Sequence, residues 1–381
     1  MHLHAEVSVA QLSKVGEELC GDNVDVIRTH KDTIIVLSDG LGSGVKANIL
    51  ATLTTKIASS MLRRGISLED VVNTITETLP VCRERKIAYS TMHIIKISHE
   101  GEATIAEFDC PTSFLIRAGK VVPFPSKAKF VGGKVIKKGT LSLQENDMIV
   151  AVSDGVIHAG IGGLLKLGWG WQGVAEQLSL ESRGQHDAES LCQQIINCCE
   201  GYYLGCPGDD TTVVTVKIRR NRHLTLLAGA PVDIASDESV VRKFLRQTGK
   251  KIVAGGTTAN IVSRITGKPL SVDLMYHDAK IPPIGHIEGI DLVTEGVLTL
   301  YAAVERLKDP KIRHDKAQDG ATLMAKMLME ADEIDVYAGG AINPAHQNPM
   351  FPMQINIKAQ VLAKLQTTLE DIGKTVTTVW F

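Results

Sequence analysis

Short apolar runs bounded by turn residues follow one another through the first half of the chain. β-Branched residues dominate these runs, which favours strands over helices. Three longer segments, 46–63, 68–79 and 189–200, instead carry apolar residues at a helical spacing. The predicted strands are 7–9, 24–28, 33–37, 90–97, 102–108, 113–117, 120–123, 147–153 and 213–218. We expect antiparallel sheet with helices on its faces in this half of the chain.

Four of these strands, between residues 90 and 123, are expected to form one antiparallel meander because short polar turns separate them. Asp109-Cys110-Pro111 interrupts the meander. We interpret Asp109 as the acid of a β-bulge. The alternative is that Asp109 approaches a bound metal ion.

The pattern changes after a basic cluster that runs from Arg219 to His223, where strands begin to alternate with helices. The elements predicted there are strands 224–227 and 251–254 and helices 237–247 and 259–265. Such alternation is typical of an α/β domain with some parallel strand pairs. A length of 381 residues also favours two domains. We therefore expect one domain over 1–220 and a smaller α/β domain over 224–381.

Composition narrows the classes of function. The net charge of −2 gives no electrostatic reason to expect nucleic acid or a membrane as a partner. No run approaches the roughly 18 apolar residues that span a bilayer, and the amino terminus lacks the regions of a signal peptide. The seven cysteines have no Cys-x-x-Cys spacing and are interpreted as reduced thiols. We expect a cytoplasmic protein.

Acidic residues stand at the ends of several predicted strands. Asp39 follows the apolar run 33–37 and precedes glycines, and Asp154-Gly155 follows the strand 147–153 in the same way. Asp22 and Asp209 precede strands. One Asp-Gly pair alone is a common turn. If the four strand ends meet, however, the carboxylates converge and their charge requires cations, and oxygen ligands without paired His or Cys favour Mg²⁺ or Mn²⁺ over Zn²⁺.

The order of these motifs resembles the metal-dependent serine/threonine protein phosphatases of the PPM (type 2C) class, and within it the bacterial SpoIIE-like branch. The matching motifs are Cys20-Gly21-Asp22, Ser38-Asp39-Gly40-Leu41-Gly42-Ser43-Gly44, Ser153-Asp154-Gly155 and Asp209-Asp210-Thr211-Thr212-Val213. The resemblance covers about residues 1–220. It implies an α+β fold, a four-layer α-β-β-α sandwich with a binuclear metal site at one edge.

The resemblance also implies roles for individual residues. Asp39 would bridge two Mn²⁺ or Mg²⁺ ions, with the Gly40 carbonyl and Asp22 on one ion. Asp154 and Asp209 would hold the other ion. With Asp39, Asp154 and Asp209 as the catalytic acids, a metal-bridging hydroxide would attack phosphoserine or phosphothreonine in a phosphorylated protein substrate.

Two features depart from the family pattern. Gly21 stands where larger members carry an acid, and no arginine matches the residue that clamps substrate phosphate in some members.

His158 follows Asp154 by four residues in a glycine-rich loop, and is a candidate proton donor if that loop is a flap over the site. Two alternative functions stay open: a non-catalytic regulator with a phosphatase-like fold, and a hydrolase of small phosphorylated molecules.

Three glycine-bearing loops follow predicted strands in the second domain. Gly255-Gly256-Thr257-Thr258 would present N–H and hydroxyl donors to a small anionic ligand at a helix start. The other two loops are Thr294-Glu295-Gly296 and the segment from Gly339 to His346. The alternative is that all three are strand-to-helix turns with N-caps.

Overall fold

The computed structural model describes residues 2–29, 31–78, 90–131, 134–182, 184, 187–273, 281–341 and 354–381. The chain divides into two compact units, Met1–Arg220 and Asn221–Phe381. Across the described ranges, none of the helices combines the length and the apolar character that crossing a bilayer requires. The predicted end of the second helix at residue 79 and most of the third glycine loop, 342–346, lie outside the described residues.

The first unit is built of antiparallel strands with helices between them. Its strands are β1 (Leu3–Leu12), β2 (Asp22–Arg28), β3 (Asp32–Asp39), β4 (Met92–Ser98), β5 (Glu102–Phe108), β6 (Phe114–Arg117), β7 (Lys120–Val122), β8 (Ser126–Val131), β9 (Lys134–Ser142), β10 (Met148–Val152) and β11 (Thr211–Arg220). Its helices are α1 (Gly44–Arg63), α2 (Leu68–Thr78), α3 (Asp154–Ile157), α4 (Gly170–Glu181) and α5 (Ala188–Tyr202).

These strands form two sheets. One has six strands in the order β2-β3-β4-β5-β9-β8, and the other has five in the order β1-β11-β10-β6-β7. Neighbouring strands pair antiparallel in both. The order brings β2 beside β3 in one sheet and β10 beside β11 in the other. These are the strands whose ends carry the candidate metal ligands.

The alternation of side chains along β3 explains how the layers stack. Ile34 and Val36 face one side, where they pack with α1 and α2, while Ile35 and Leu37 face the core between the two sheets. On the far side, β10 and β11 pack against α4 and α5. The layers therefore run helix, sheet, sheet, helix. The expected α+β four-layer sandwich is confirmed for the first unit.

The expected single meander is wrong. β4 and β5 lie in the six-stranded sheet, but β6 and β7 lie in the five-stranded sheet. The segment Asp109-Cys110-Pro111 is therefore the crossing between the sheets and not a bulge. Asp109 has a positive φ of 49° and an exposed side chain, as a tight reversal of the chain requires.

The second unit contains a seven-stranded sheet in the order β14-β15-β16-β13-β12-β17-β18. Its strands are β12 (His223–Ala228), β13 (Lys250–Ala254), β14 (Ser271–Val272), β15 (Gly285–His286), β16 (Leu292–Thr294), β17 (Glu333–Ala338) and β18 (Thr375–Trp380). Its helices are α6 (Asp237–Arg246), α7 (Gly256–Thr266), α8 (Val297–Leu307), α9 (Gly320–Glu330) and α10 (Gln354–Asp371), with 3₁₀ turns at Ile234–Ser236 and Pro310–His314.

The five strands from β16 to β18 in this order pair in parallel, whereas β14 and β15 pair antiparallel at one edge. Helices α8, α9 and α10 pack on one face, and α6 and α7 pack on the other. Neighbouring residues of β12 point to opposite faces of the sheet. Leu226 packs on the face that α8, α9 and α10 cover, and Leu227 packs on the face that α6 and α7 cover. This is the α/β architecture that the alternation of strands and helices predicts.

Candidate metal centre

The hairpin of β2 and β3 brings two of the predicted ligands together, because Asp22 lies directly opposite Asp39 in the strand register. Asp22 is 2% exposed. The backbone of Asp39 is held on both sides: its N–H donates to Thr91 Oγ1 at 3.0 Å, and its carbonyl accepts from the Thr91 N–H at 2.9 Å. Gly40 continues this edge by a bridge to Ser90. The carboxylates of this hairpin therefore start from a fixed backbone.

The other two predicted ligands meet at the ends of β10 and β11. Val152 pairs with Val213, so Asp154 just after β10 lies near Asp209 just before β11. Gly155 makes this approach feasible, because a Cβ at Gly155 would lie 2.1 Å from the Asp210 carbonyl oxygen. The Tyr203 hydroxyl donates to the Gly155 carbonyl at 2.7 Å and supports the same turn.

The two pairs of acids lie close enough for the charges of the second pair to raise the pKa values of the first pair, so they form one centre. Burial raises the pKa of Asp39 to about 9, with further contributions from the charges of Asp22, Asp154, Asp209 and Asp210. Burial also raises the pKa of Asp22 to about 6, although hydrogen bonds from Thr212 and Ser153 oppose the shift. The pKa of Asp209 is raised by burial and by Asp154. The centre therefore disfavours its own negative charge unless a cation is bound.

Two buried oxygen atoms of this centre fit a metal ion. Asp22 Oδ1 and Asp210 Oδ2 have no hydrogen-bond partner among the described residues, although both side chains are at least 96% buried. The second oxygen of Asp22 accepts from the Thr212 hydroxyl at 2.6 Å. Unpaired buried carboxylate oxygens are costly, and a hard divalent cation would satisfy them. The residues present therefore fit Mg²⁺ or Mn²⁺.

His158 lies closer to these acids than the sequence pattern required. One ligand atom each from Asp154, His158 and Asp209 lies within 4.8 Å of the others. The sequence interpretation treated His158 as a candidate proton donor and expected oxygen ligands alone. The sequence signal that could have indicated a metal ligand is the spacing of His158 from Asp154, because residues four apart on a helical turn share a face.

Gly21 stands where larger members of the PPM class carry an acid, and a neighbouring carboxylate lies at this position instead. A Cβ at Gly21 would lie 2.7 Å from Asp210 Oδ2 and 2.9 Å from the Cβ of Ala47. The Asp210 carboxylate and α1 thus fill the space that a side chain at 21 would need. Asp210 also accepts a hydrogen bond from the Lys14 N–H at 3.0 Å. Sequence reasoning quoted Asp210 only as part of a motif and gave it no role.

The glycine-rich turn of the second unit begins α7 at Gly256. Thr258 is buried and Thr257 is exposed. The Glu295 carboxylate comes near this turn, since its Oε1 lies 3.2 Å from where a Cβ of Gly256 would be. The loops after β13 and β16 therefore lie side by side, as the Gly255 N–H bond to the Thr294 carbonyl at 2.8 Å also shows.

A four-layer sandwich with carboxylates converging at one edge defines the PPM class of metal-dependent phosphatase folds. The family model described as Stage II sporulation protein E (SpoIIE) matches residues 29–219, half of the chain. The chain belongs to the SpoIIE family.

Two characterised relatives share parts of the first unit. Stage II sporulation protein E of Priestia megaterium is 22% identical over 223 residues, which is 57% of this chain and 37% of that protein. Phosphoserine phosphatase RsbX of Bacillus subtilis (strain 168) is 32% identical over 97 residues, which is 26% of this chain and 45% of that protein. The chain thus matches less than half the length of either relative.

Solved structures with a similar fold include a SpoIIE phosphatase domain and RsbX. The PP2C phosphatase domain of SpoIIE from Bacillus subtilis with a fragment of its regulatory domain has a TM-score of 0.49 and 20% identity, covering 58% of this chain and 64% of that chain. RsbX in complex with magnesium has a TM-score of 0.42 and 20% identity, covering 56% of this chain and 96% of that chain.

Proposed function

We propose that this protein is a metal-dependent serine/threonine protein phosphatase in bacterial signalling, with its active site at the acidic centre of the first unit. The observation that carries the proposal is the convergence of Asp22, Asp154 and Asp209 on Asp39, whose pKa is raised to about 9 by burial and then by the charges of these neighbouring acids. Membership of the SpoIIE family supports it, as does similarity to a relative named a phosphoserine phosphatase.

Asp39 would contact both of two Mn²⁺ or Mg²⁺ ions. Asp22 and the Gly40 carbonyl would hold one ion, and Asp154 and Asp209 would hold the other. When bound, two such ions supply an activated water and offset the negative charge of the phosphoryl oxygens. This chemistry needs no serine or cysteine nucleophile.

The chain's own contribution is to fix the carboxylates in advance. Thr91 holds the Asp39 backbone from both its side chain and its main chain. The Thr212 hydroxyl orients one oxygen of Asp22 and leaves the other free for a ligand. Groups that are already oriented lose little entropy when ligands bind, so the centre is preorganised for its task.

The exposure of side chains at the acidic centre favours a substrate phosphate that is carried on a protein. The side chains of Asp154 and His158 are 45% and 47% exposed. A phosphoserine or phosphothreonine in a partner's loop can reach such an open edge, whereas small-molecule sites bury most of their ligand.

The test measures phosphate release by the full chain from phosphoserine and phosphothreonine peptides, beside a panel of phosphorylated metabolites, with Mn²⁺, with Mg²⁺ and with EDTA. We expect metal-dependent release from the peptides and its loss in Asp39→Asn. Asp109→Asn is the matched control, because Asp109 is an exposed aspartate of the same unit and asparagine tolerates its positive φ. Full activity in Asp39→Asn, or activity on metabolites alone, would contradict the proposal.

For the second unit we infer a regulatory or ligand-binding role. Gly255-Gly256-Thr257-Thr258 at the start of α7 is the candidate site for a small anionic ligand, supported by its position after a parallel strand. The Glu295 carboxylate lies beside this turn and would repel an anion bound there. A cytoplasmic location belongs to the same proposal and is supported by the unpaired state of the described cysteines.

A further inference from the structure

His158 occupies a fixed position relative to Asp154. Asp154 begins the short helix α3 and His158 is the C-cap residue that follows it, and the His158 N–H donates to the Asp154 carbonyl at 2.9 Å. This single turn brings the two side chains to one face, with His158 Nδ1 3.8 Å from Asp154 Oδ2. Asp209 offers a carboxylate oxygen within 4.8 Å of both.

The distance between the two side chains fits a shared ion. Nitrogen and oxygen ligands lie about 2.1 Å from a small divalent metal, so two ligands of one ion are about 3 Å apart when adjacent and about 4.2 Å apart when opposite. The observed 3.8 Å falls between these limits. Small rotations of the two side chains would bring their ligand atoms to one of these separations, so an ion could bind His158 and Asp154 together without any change in the turn.

The backbone around His158 is supported on its far side. Gly168 has a positive φ of 74°, and a Cβ there would lie 2.9 Å from the His158 Cα and 2.7 Å from the Ile157 carbonyl oxygen. The Ile161 N–H donates to the His158 carbonyl at 3.0 Å. The loop after α3 thus packs tightly against His158, while the imidazole itself stays half exposed at the site.

We propose that His158 is a third protein ligand of the ion held by Asp154 and Asp209, and that its nitrogen makes this position favour Mn²⁺ over Mg²⁺. The inference rests on the proposed function for the identity of the centre. Mg²⁺ prefers oxygen ligands and keeps its water shell, whereas transition metals accept imidazole. The oxygen-only set expected from the sequence would not discriminate in this way.

The experiment loads the full-length protein with Mn²⁺ and records pulsed EPR, in which a directly bound histidine nitrogen produces a resolved coupling. We expect this coupling in the wild-type protein, its change on isotopic labelling of histidine, and its loss in His158→Gln. In titrations, His158→Gln should weaken Mn²⁺ binding by at least about tenfold and change Mg²⁺ binding much less. His99→Gln, at the turn between β4 and β5, is the matched histidine control.

The outcomes separate this inference from the proposed function. Mn²⁺ binding and phosphatase activity without a histidine coupling, or a coupling that persists in His158→Gln, overturn the ligand role and leave the function standing. A coupling that His158→Gln removes, in a protein without activity on any phosphorylated substrate, supports the ligand role and contradicts the function. A wild-type protein that binds no Mn²⁺ contradicts both.

Discussion

At position 21 the chain has a buried glycine where larger members of the PPM class carry an acid. An added Cβ would lie 2.7 Å from Asp210 Oδ2 and 2.9 Å from the Ala47 Cβ, both closer than side-chain atoms approach one another. The Asp210 carboxylate is buried and its Oδ2 is unpaired among the described residues. A carboxylate is therefore present at this point of the centre, but it comes from the residue before β11 and not from the residue before β2.

Gly21→Ala should destabilise the protein because neither neighbour can move without disturbing α1 or the acidic centre. We expect a loss of about 1–3 kcal/mol in the free energy of unfolding, measured by urea denaturation. Gly201→Ala is the control, since a Cβ in that part of α5 meets nothing within 4 Å and alanine favours the helix. Equal stability of Gly21→Ala and wild type would mean that the space beside Asp210 is not filled as described.

The pKa of Asp39 predicts a pH dependence for the metal-free protein. Its folded-state pKa is about 9 because of burial and four neighbouring acids, while that of an aspartate in an unfolded chain is about 3.9. The folded state holds the proton more tightly, so the metal-free protein should lose stability as pH rises between these two values. Asparagine at position 39 cannot ionise and does not carry this penalty.

In EDTA, Asp39→Asn should therefore have a higher Tm than the wild-type protein at neutral pH, and the difference should widen between about pH 5 and pH 8. Saturating Mn²⁺ should reverse the order, because only the wild-type carboxylate attracts the ions. Tm measured by calorimetry across this range, with and without Mn²⁺, tests both statements. A Tm difference between Asp39→Asn and wild type that does not change with pH in EDTA would show that Asp39 is not protonated in the folded protein.

At the scale of elements, the sequence predicted strands well where both faces are buried. The sequences of β3 and β10 are apolar runs because one face of each strand packs between the two sheets and the other face packs under helices. The hairpin of β8 and β9 was missed because five lysines interrupt its apolar residues and most described side chains of β8 are exposed. Local periodicity reports burial, so an edge hairpin with a solvated face gives little signal.

The local sequence pattern also could not predict that the chain passes to the other sheet after β5. Four short strands separated by turns fit one meander as well as two halves in different sheets. The contacts that decide between them are distant in the sequence: Phe114 of β6 stacks on Trp171 of α4, and the Trp171 Nε1–H donates to the Thr112 carbonyl at 2.8 Å. Helix α4, which is not among the predicted helices, thus fixes the crossing segment.

The candidate site was predictable to the extent that strand ends determine it. Asp22 and Asp39 follow from one hairpin, and Asp154 and Asp209 follow from one strand pair. The position of His158 follows from its spacing to Asp154 on one helical turn. Asp210 gained its importance from close packing, because Gly21 lets the Asp210 carboxylate approach. Such approaches between separate loops have no counterpart in the spacing of residues along the chain.

At the scale of the whole molecule, each unit has its own buried clusters. The first unit contains one core between its sheets and one under each helical layer. The second unit has a core on either face of its parallel sheet. The proposed metal centre draws its ligands from the first unit alone, within 1–220. Because each unit buries its own apolar surface, we expect the two units to fold independently.

A protein ending at Arg222 should fold and release phosphate from a generic phosphate ester with Mn²⁺, because it retains both sheets and all the proposed ligands. A fragment of residues 221–381 should fold without such activity. A chain ending at Gly208 is the control: it lacks β11, which pairs with both β1 and β10, and should not fold. Circular dichroism, thermal melting and phosphate release measure these properties. If the protein ending at Arg222 melts without cooperativity, the two units depend on one another for folding, and the two-domain interpretation is wrong.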